Sequence, residues 1–422
     1  MNRCLFACCL FLFYSLGGLA QAADNLPDSP AYKGEIRRSA DGRLIVVEPD
    51  KQENATPPVR KAATLLVGPS EKIRTISEAA RVARDGEIIE IQPGEYPGQT
   101  AVWTQHNLTI RGGADRPVLT ANGKNAEGKG LWVIRGGKVH VENLEFRGAR
   151  VPDGNGAAIR FERGDLTIQR CAFADNEMGI LTANRPEMTL TIRDSEFSDA
   201  PRHAGDLHHL LYVGQIGRFT LTGSRFANGY RGHLVKSRAR ENHVRYNLLA
   251  DGPAGHASYE LEFPNGGMAF VIGNVIAQSA TSDNPTLVSY GAEGPHWQDN
   301  ALYFTHNTLV NDQHVGTFLK VWSENFPGGI ETWVINNLTV GNGDLFPPVQ
   351  GRFEGNVSDQ RRDLIEYDGI PMRLKTDSPL RGRVRIPGRV RDVDLLPSAE
   401  FVPPAGQRSV PAGSALAPGA FR

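Results

Sequence analysis

Hydrophobic and polar residues alternate along most of the chain with the period of a β-strand. Segments 166–173, 190–197 and 219–226 each place apolar residues on one side of an extended strand and end on a phenylalanine. Related segments recur as far as residue 357, at intervals of roughly 20 to 35 residues, a spacing typical of solenoid proteins. One unit cannot bury its apolar side alone, whereas stacked units bury it continuously. We therefore predict an all-β fold, a parallel β-helix.

Asparagines recur in phase with this repeat. They are Asn247, Asn274, Asn307, Asn337 and Asn356. Stacked asparagine side chains can hydrogen-bond from one strand layer to the next. We interpret these residues as structural rather than catalytic.

Helical periodicity is confined to segment 72–84. Its apolar positions Ile73, Ile76, Ala80 and Ala83 fall on one face of a helix. A β-helix has an open first coil, and an amphipathic helix can cover it. The segment therefore predicts an N-terminal capping helix.

The sequence around this helix resembles the opening of pectin-lyase-like proteins. The resemblance rests on Thr75-Ile-Ser-Glu-Ala79 and on Pro93-Gly-Glu-Tyr96, with an apolar strand between them. It extends over about residues 65–358 and implies a right-handed parallel β-helix.

Both ends of the chain differ from the repeat. A short basic start, an apolar run over residues 5–19 and small residues at Ala20–Ala23 predict a signal peptide over 1–23. An uncleaved anchor is the alternative, but the run is shorter than a membrane span. Residues 24–62 are interpreted as a polar lead-in, 63–358 as the β-helix, and 359–422 as a tail that wraps the last coil. We expect a periplasmic or secreted protein.

Cysteine and charge restrict the function further. After signal cleavage only Cys171 remains, so we predict a buried thiol and no intramolecular disulfide. The net charge is −1 with both signs interspersed, which argues against nucleic acid as a partner and against membrane insertion of the mature chain. The motifs of P-loop, dinucleotide-binding, nucleophile-elbow and zinc-helix enzymes are absent from the sequence. We expect a monomer.

Ionisable and aromatic residues concentrate between about residues 203 and 322. Within this region, segment 232–247 resembles the chondroitinase B and alginate lyase family through Lys236-Ser237 and Asn242. The resemblance implies that Lys236 is a catalytic base. Glu262 stands where that family has an arginine.

Strand alternation predicts a groove around Lys236. If Val235 points inward, Lys236 points outward, and Glu260 and Glu262 do the same in the next coil. The other residues predicted to line this groove are Tyr212, His233, Arg238, Arg240, Tyr290, Lys320 and Trp322. Such a groove suits an extended acidic polysaccharide or oligosaccharide, because aromatic rings stack on sugar faces and charged groups meet carboxylates.

Two reactions fit these residues. In β-elimination from a uronate, Lys236 is the base, Tyr290 or His233 the proton donor, and Arg238 and Arg240 the carboxylate ligands. No cofactor is required by the sequence, although Ca²⁺ held by Glu260 and Glu262 is one option.

In glycoside hydrolysis, Glu260 and Glu262 flank the scissile bond, with Asp206 or Glu293 as further carboxylates. An epimerase on the same scaffold and a non-catalytic envelope protein that binds polysaccharide also remain open. In the last case Lys236 forms an ordinary ion pair with a glutamate. The spacing of His203, His208 and His209 matches no metal-ligand pattern, so no metal site is predicted.

Overall fold

The computed structural model describes residues 35–38, 44–47, 63–202, 208–253, 255–411 and 413–422. It divides into two compact units, Met1–Lys61 and Ala62–Arg422. In the first unit, strands Glu35–Arg38 and Leu44–Val47 pair antiparallel. The predicted signal peptide lies outside the described residues. Over the described ranges, no helix is long and apolar enough to span a membrane.

The second unit consists of parallel strands wound into successive coils, each of which passes through three sheets. Sheet 1 consists of Ala101–Trp103, Gly130–Glu142, Ala157–Gln169, Met178–Thr182, Leu211–Val213, Val235–Ser237, Leu261–Phe263, Thr286–Tyr290, Thr317–Val321 and Asp344–Leu345. Sheet 2 shares the two long strands Gly130–Glu142 and Ala157–Gln169 with sheet 1. Its other strands are Thr64–Val67, Ile88–Ile91, Leu108–Gly112, Thr189–Arg193, Arg218–Thr222, Glu241–Arg245, Met268–Ile272, Ala301–Thr305, Glu331–Ile335 and Gly351–Glu354.

Sheet 3 completes each coil and has 11 strands. These are Glu95–Pro97, Val118–Thr120, Glu145–Arg147, Ala172–Ala174, Glu196–Ser198, Arg225–Ala227, Leu248–Ala250, Val275–Gln278, Thr308–Asn311, Leu338–Gly341 and Val357–Asp359. The predicted parallel β-helix is confirmed.

Aromatic residues at equivalent positions of sheet 3 stack along the core. The rings of Phe146, Phe173, Phe197 and Phe226 follow one another with centroid distances of 5.2, 4.5 and 4.5 Å. Each is in register with the next across a parallel strand pair. All four side chains are buried, so the alternation read from the sequence correctly assigned the inward face.

The asparagines form a continuous ladder in the turn between sheets 2 and 3. The Asn274 carboxamide oxygen accepts hydrogen bonds from the Asn247 backbone and side chain at 3.0 and 2.9 Å. The Asn274 side chain in turn donates to Val244 O and to Asn307 Oδ1. The same pattern continues through Asn337 to Asn356. The structural role predicted for these residues is confirmed.

One α-helix, Ile76–Val82, is described in the chain and is shorter than predicted. Thr75 caps its start by accepting a hydrogen bond from Glu78 N at 3.1 Å. Ile76 and Ala79 are fully buried in the same core as the first coils. Gln105, from the strand connections, donates to Ala80 O at 2.7 Å and so satisfies a carbonyl in the last turn.

The C-terminal tail packs along the side of the solenoid rather than over its last coil alone. Its antiparallel pairs are Leu364–Tyr367 with Ile370–Leu374, Arg389–Val390 with Val393–Asp394, and Ala399–Phe401 with Gln407–Ser409. A short 3₁₀ turn, Arg361–Asp363, begins the tail, and another, Ser323–Asn325, lies within the solenoid. Tail residues such as Met372 and Phe421 are buried against Leu248, Val275 and Leu338, which belong to several different coils.

Cys171 lies fully buried in the core. Burial raises the pKa of its thiol to about 11, so the group stays protonated at neutral pH. Its predicted structural role is consistent with this position.

Candidate functional site

A row of outward-facing side chains follows sheet 1 across five coils. Strand register places Tyr212 beside Lys236, Lys236 beside Glu262, Glu262 beside Ser289, and Ser289 beside Lys320. The flanking residues Val235 and Leu261 are fully buried and point into the core. We call these five residues the outer stripe.

Lys236 and Glu262 form the centre of the outer stripe. Lys236 Nζ lies 3.2 Å from Glu262 Oε2, and His233 Nε2 lies 2.8 Å from the same oxygen. Burial alone would raise the pKa of the Glu262 carboxyl, but the polar contact with His233 and the positive charge of Lys236 outweigh burial and lower that pKa. Glu262 is therefore an ionised carboxylate that holds Nζ in place.

Two histidines support this pair from one side. The His233 backbone N–H donates to His209 Nδ1 at 2.9 Å, which leaves the His209 proton on Nε2. Burial lowers the pKa of both imidazoles below the ordinary value for histidine, and the neighbouring Lys236 charge acts in the same direction. Both rings are thus neutral at neutral pH, and His233 Nε2 faces Glu262 Oε2 at 2.8 Å.

Arg238 lies beside Lys236 and is held by groups from three coils. Its Nε donates to Tyr212 Oη at 2.9 Å, and its Nη1 donates to Asn265 Oδ1. Both terminal nitrogens bind the Glu293 carboxylate, at 2.5 and 2.8 Å. The Tyr212 ring lies below both cations, with its centroid 5.8 Å from Lys236 Nζ and 5.8 Å from Arg238 Cζ.

Tyr290 does not belong to this site, contrary to the prediction from alternation. It is in register with the inward-facing Phe263, and Ser289 occupies the outer stripe instead. Its hydroxyl donates to Gly267 O at 2.6 Å inside the protein, and the side chain is fully buried. Burial raises the pKa of this phenol. The predicted role of Tyr290 as a proton donor facing the groove is therefore wrong.

Glu260 is also misplaced by the prediction, because it is fully buried rather than exposed in a groove. Its backbone N–H donates to Leu287 O at 3.1 Å and its carbonyl accepts from Val235 N at 3.2 Å, which places it between two neighbouring coils. Neither of its carboxyl oxygens has a hydrogen-bond partner among the described residues. Burial raises the pKa of Glu260 well above its ordinary value, and the nearby Asp251 carboxyl adds to the effect.

Replacing Glu260 with leucine is expected to stabilise the protein by about 2 kcal/mol at neutral pH, because an unpartnered polar group is exchanged for an apolar one. The pKa of Glu260 is raised in the folded state. The free energy of unfolding is therefore highest at a pH below the ordinary pKa of a carboxyl group, and it falls as the pH rises. Burial also raises the pKa of Asp251, to about 6, so its share of the loss falls between the ordinary Asp range and about pH 6. Urea unfolding at about pH 4 and about pH 7 measures both effects.

The stabilisation by Glu260→Leu should be smaller at the lower pH, because there the wild-type carboxyl is increasingly neutral in the unfolded as well as the folded protein. The exposed Glu95, on a strand of sheet 3, provides the control. Glu95→Leu is expected to change stability by less than about 0.5 kcal/mol at either pH. A Glu260→Leu protein that is less stable than wild type at neutral pH would contradict this account.

The structure also locates most of the other residues predicted for the groove. Lys320 lies on the outer stripe, with Nζ 4.8 Å from the centroid of the Trp322 ring, and Trp322 Nε1 donates to Ser289 Oγ at 3.2 Å. These residues form a second cluster three coils beyond Lys236. Arg240 is exposed at the turn that follows sheet 1. Asp206 and His203 lie outside the described residues.

No metal site is apparent in the described part of the chain. No group of three or more His, Cys, Asp or Glu side chains in those ranges is arranged to hold an ion. Glu260 is buried whereas Glu262 is bound to Lys236 and His233, so the two glutamates do not present a shared carboxylate pair. The structure does not support the suggested Ca²⁺ site at these residues.

Three contacts of the site were not predicted from the sequence. Asn265 and Glu293 bind Arg238, and the Trp297 indole donates to Arg238 O at 3.0 Å. Glu293 was considered only as a carboxylate for hydrolysis. All three residues lie in connections outside the strands, where the repeat gives no positional signal.

The fold is similar to that of solved polysaccharide lyases. Pectate lyase Pel9A aligns with a TM-score of 0.55 and 13% identity, over 85% of this chain and 97% of that chain. The PL6 family alginate lyase AlyGC has a TM-score of 0.47 and 15% identity, over 74% of this chain and 47% of that chain. The PL6 family polysaccharide lyase Pedsa3628 from Pseudopedobacter saltans has a TM-score of 0.45 and 12% identity, over 80% of this chain and 99% of that chain.

The likeness to Pel9A shows the fold. The chain is a pectin-lyase-like right-handed parallel β-helix, as the resemblance in its sequence implied. No protein-family model matches the chain, and no curated protein matches its sequence. Reaction and substrate must therefore be argued from the site.

Proposed function

We propose that this protein is an exported polysaccharide lyase that cleaves an acidic, uronate-containing glycan by β-elimination. The observation that carries the proposal is the cluster of Lys236, Arg238 and Tyr212 on the outer face of adjacent coils. It combines a candidate base, a fixed guanidinium and a phenol beside one another. The likeness to pectate lyase Pel9A concerns the fold, and a lyase reaction is compatible with it.

Each group has a distinct role in the proposed reaction. Lys236, as the free amine, takes the proton from the carbon next to the sugar carboxylate, and that electron pair forms the new double bond. Arg238 binds the carboxylate and stabilises the charge that develops on it. The bond to the leaving sugar oxygen breaks, and that oxygen receives the Tyr212 hydroxyl proton. Tyr212 thus takes the donor role that the sequence had assigned to Tyr290.

Glu262 and His233 position the base in this scheme. Glu262 Oε2 lies 3.2 Å from Lys236 Nζ and 2.8 Å from His233 Nε2, so its negative charge attracts the amine and orients it at the groove. Lys236 can accept a proton only after its ammonium has lost one to solvent. The side chain of Lys236 is 14% exposed, which leaves a route for this exchange.

The second cluster extends the proposed substrate contacts along the groove. Lys320 and Trp322 lie two coils from Glu262, about 10 Å along the solenoid. The half-buried indole offers a surface for a sugar ring, and the lysine offers a partner for another carboxylate. An extended acidic chain can therefore contact both clusters.

A non-catalytic polysaccharide-binding protein is the second candidate. It is favoured by one observation, that Lys236 and Arg238 are both engaged in ion pairs, with Glu262 and Glu293. Hydrolysis by Glu260 and Glu262 receives no support, because Glu260 is buried away from the groove.

An absorbance assay distinguishes these candidates. The purified mature protein is incubated with a panel of acidic polysaccharides that includes pectate and alginate, with and without Ca²⁺. A lyase produces a rise in the ultraviolet band of the unsaturated uronate. If no substrate gives a rise but one binds, the non-catalytic candidate is correct.

A further inference from the structure

The loop over residues 291–300 reaches back across the groove to an earlier coil. It connects Thr286–Tyr290 of sheet 1 to Ala301–Thr305 of sheet 2. Glu293 from this loop binds Arg238, which follows the sheet 1 strand of two coils earlier. The loop therefore passes the intervening coil, which contains Glu262.

Backbone contacts fix this loop independently of the Glu293 side chain. Glu293 N donates to Pro264 O at 2.8 Å, and His296 N donates to Asn265 O at 3.1 Å. Trp297 Nε1 donates to Arg238 O at 3.0 Å. The Glu293 carboxylate is thus presented to Arg238 by a loop that hydrogen bonds already anchor on the two preceding coils.

The guanidinium of Arg238 is a preformed receptor for a carboxylate. Tyr212 and Asn265 fix its Nε and Nη1, and the side chain is only 16% exposed. Glu293 binds Nη1 and Nη2 with its two oxygens, and its side chain is 46% exposed. The cation is therefore held firmly, whereas its anionic partner faces solvent and can exchange.

The position of the Glu293 carboxylate also matches what β-elimination requires of a uronate. One of its oxygens lies 2.8 Å from Arg238 Nη2 and 3.9 Å from Lys236 Nζ. A sugar carboxylate bound in that place would have its neighbouring carbon close to the proposed base. The Arg238 hydrogen bonds lower the pKa of Glu293, so this group is an anion at neutral pH.

We propose that Glu293 occupies the sugar-carboxylate subsite of the free protein and that an acidic glycan binds by displacing it. This inference rests on the proposed function, because the displacing ligand is a uronate of the substrate. It defines the subsite as Arg238 with Tyr212 and Asn265, and it makes Glu293 an internal competitor of the substrate.

Titration calorimetry with defined oligosaccharides tests the inference. The probes are tetramers of galacturonate and of mannuronate, with a neutral glucose tetramer for comparison. Glu293→Ala is expected to bind an acidic tetramer about tenfold more tightly than wild type, because a charge-assisted competitor of Arg238 is removed. Glu293→Gln, which keeps the side-chain volume, should show a smaller gain in the same direction. The neutral tetramer should show no gain.

Two further variants test whether the gain in affinity of Glu293→Ala arises at Arg238. Glu354 pairs with Arg352 at 2.8 Å on sheet 2 rather than on the groove, so Glu354→Ala is the matched control and should bind within about twofold of wild type. In the double variant Glu293→Ala with Arg238→Gln, the gain should disappear.

Equal affinities of wild type and both Glu293 variants would overturn the inference, as would a gain that persists without Arg238. Failure of every variant to bind either acidic tetramer would also overturn it. Tighter binding by Glu293→Ala without any unsaturated product would leave the subsite established and reject only the lyase reaction.

Discussion

Lys236→Ala is expected to lower turnover of an acidic glycan by roughly 10³-fold, within the range attributed to removal of a general base. No other lysine lies near the position it occupies on the outer stripe between Tyr212 and Glu262, among the described residues. The loss should appear mainly in kcat, because Arg238 and the second cluster still bind the substrate. Initial rates of absorbance increase on the preferred substrate provide the measurement.

Lys236→Arg separates a proton-transfer role from a purely electrostatic one. Arginine keeps the positive charge beside Glu262 but does not give up a proton at accessible pH. We therefore expect Lys236→Arg to bind substrate and to be nearly as inactive as Lys236→Ala. Lys320→Ala, on the same stripe, should retain turnover and raise KM. Activity of Lys236→Arg close to that of wild type would show that Lys236 is not the base.

Asn274→Ala is expected to destabilise the solenoid by about 3 to 5 kcal/mol, because it interrupts the asparagine ladder at a fully buried position. The Asn274 side chain makes hydrogen bonds to Asn247, Val244 and Asn307. Truncation leaves the Val244 carbonyl and the Asn247 carboxamide without these partners in an interior that water does not reach. Equilibrium unfolding in urea, followed by circular dichroism, measures the change.

Asn356, the last residue of the asparagine ladder, provides the control for Asn274→Ala. Asn356 accepts from Asn337 and donates to Val334 O but is only half-buried, so Asn356→Ala should cost about 1 kcal/mol. A loss for Asn274→Ala no larger than that for Asn356→Ala would show that the buried ladder contributes little beyond its exposed end.

The repeat in the sequence predicted the core more reliably than the site. Phe173, Phe197 and Asn274 recur in phase because every coil places the same residue type at the same point of its cross-section. The outward orientation of Lys236 and Glu262 was predicted because their strands are short and flanked by clear apolar residues. These positions depend only on local alternation, which a single sequence displays.

Tyr290 and Glu260 show where alternation fails. A period of two fixes which residues share a side but not which side is inward, and Thr286–Tyr290 offers both Ser289 and Tyr290 as candidates for the outer position. Glu260 lies two residues before the outward-facing Glu262 and yet is fully buried, so alternation does not predict exposure at that position. Glu293 reaches Arg238 from 55 residues away, a contact that no local pattern encodes.

The asparagine ladder also bears on how such a protein can evolve. Successive ladder residues are separated by 27 residues between Asn247 and Asn274, but by 33 between Asn274 and Asn307. The hydrogen bonds are alike in both steps, so the additional length is absorbed by connections such as the loop over 291–300, which faces the groove. Insertions there change the contacts offered to a ligand without shifting the register of the interior. Transplanting groove loops between related solenoids is therefore a practical route to new specificities on this scaffold.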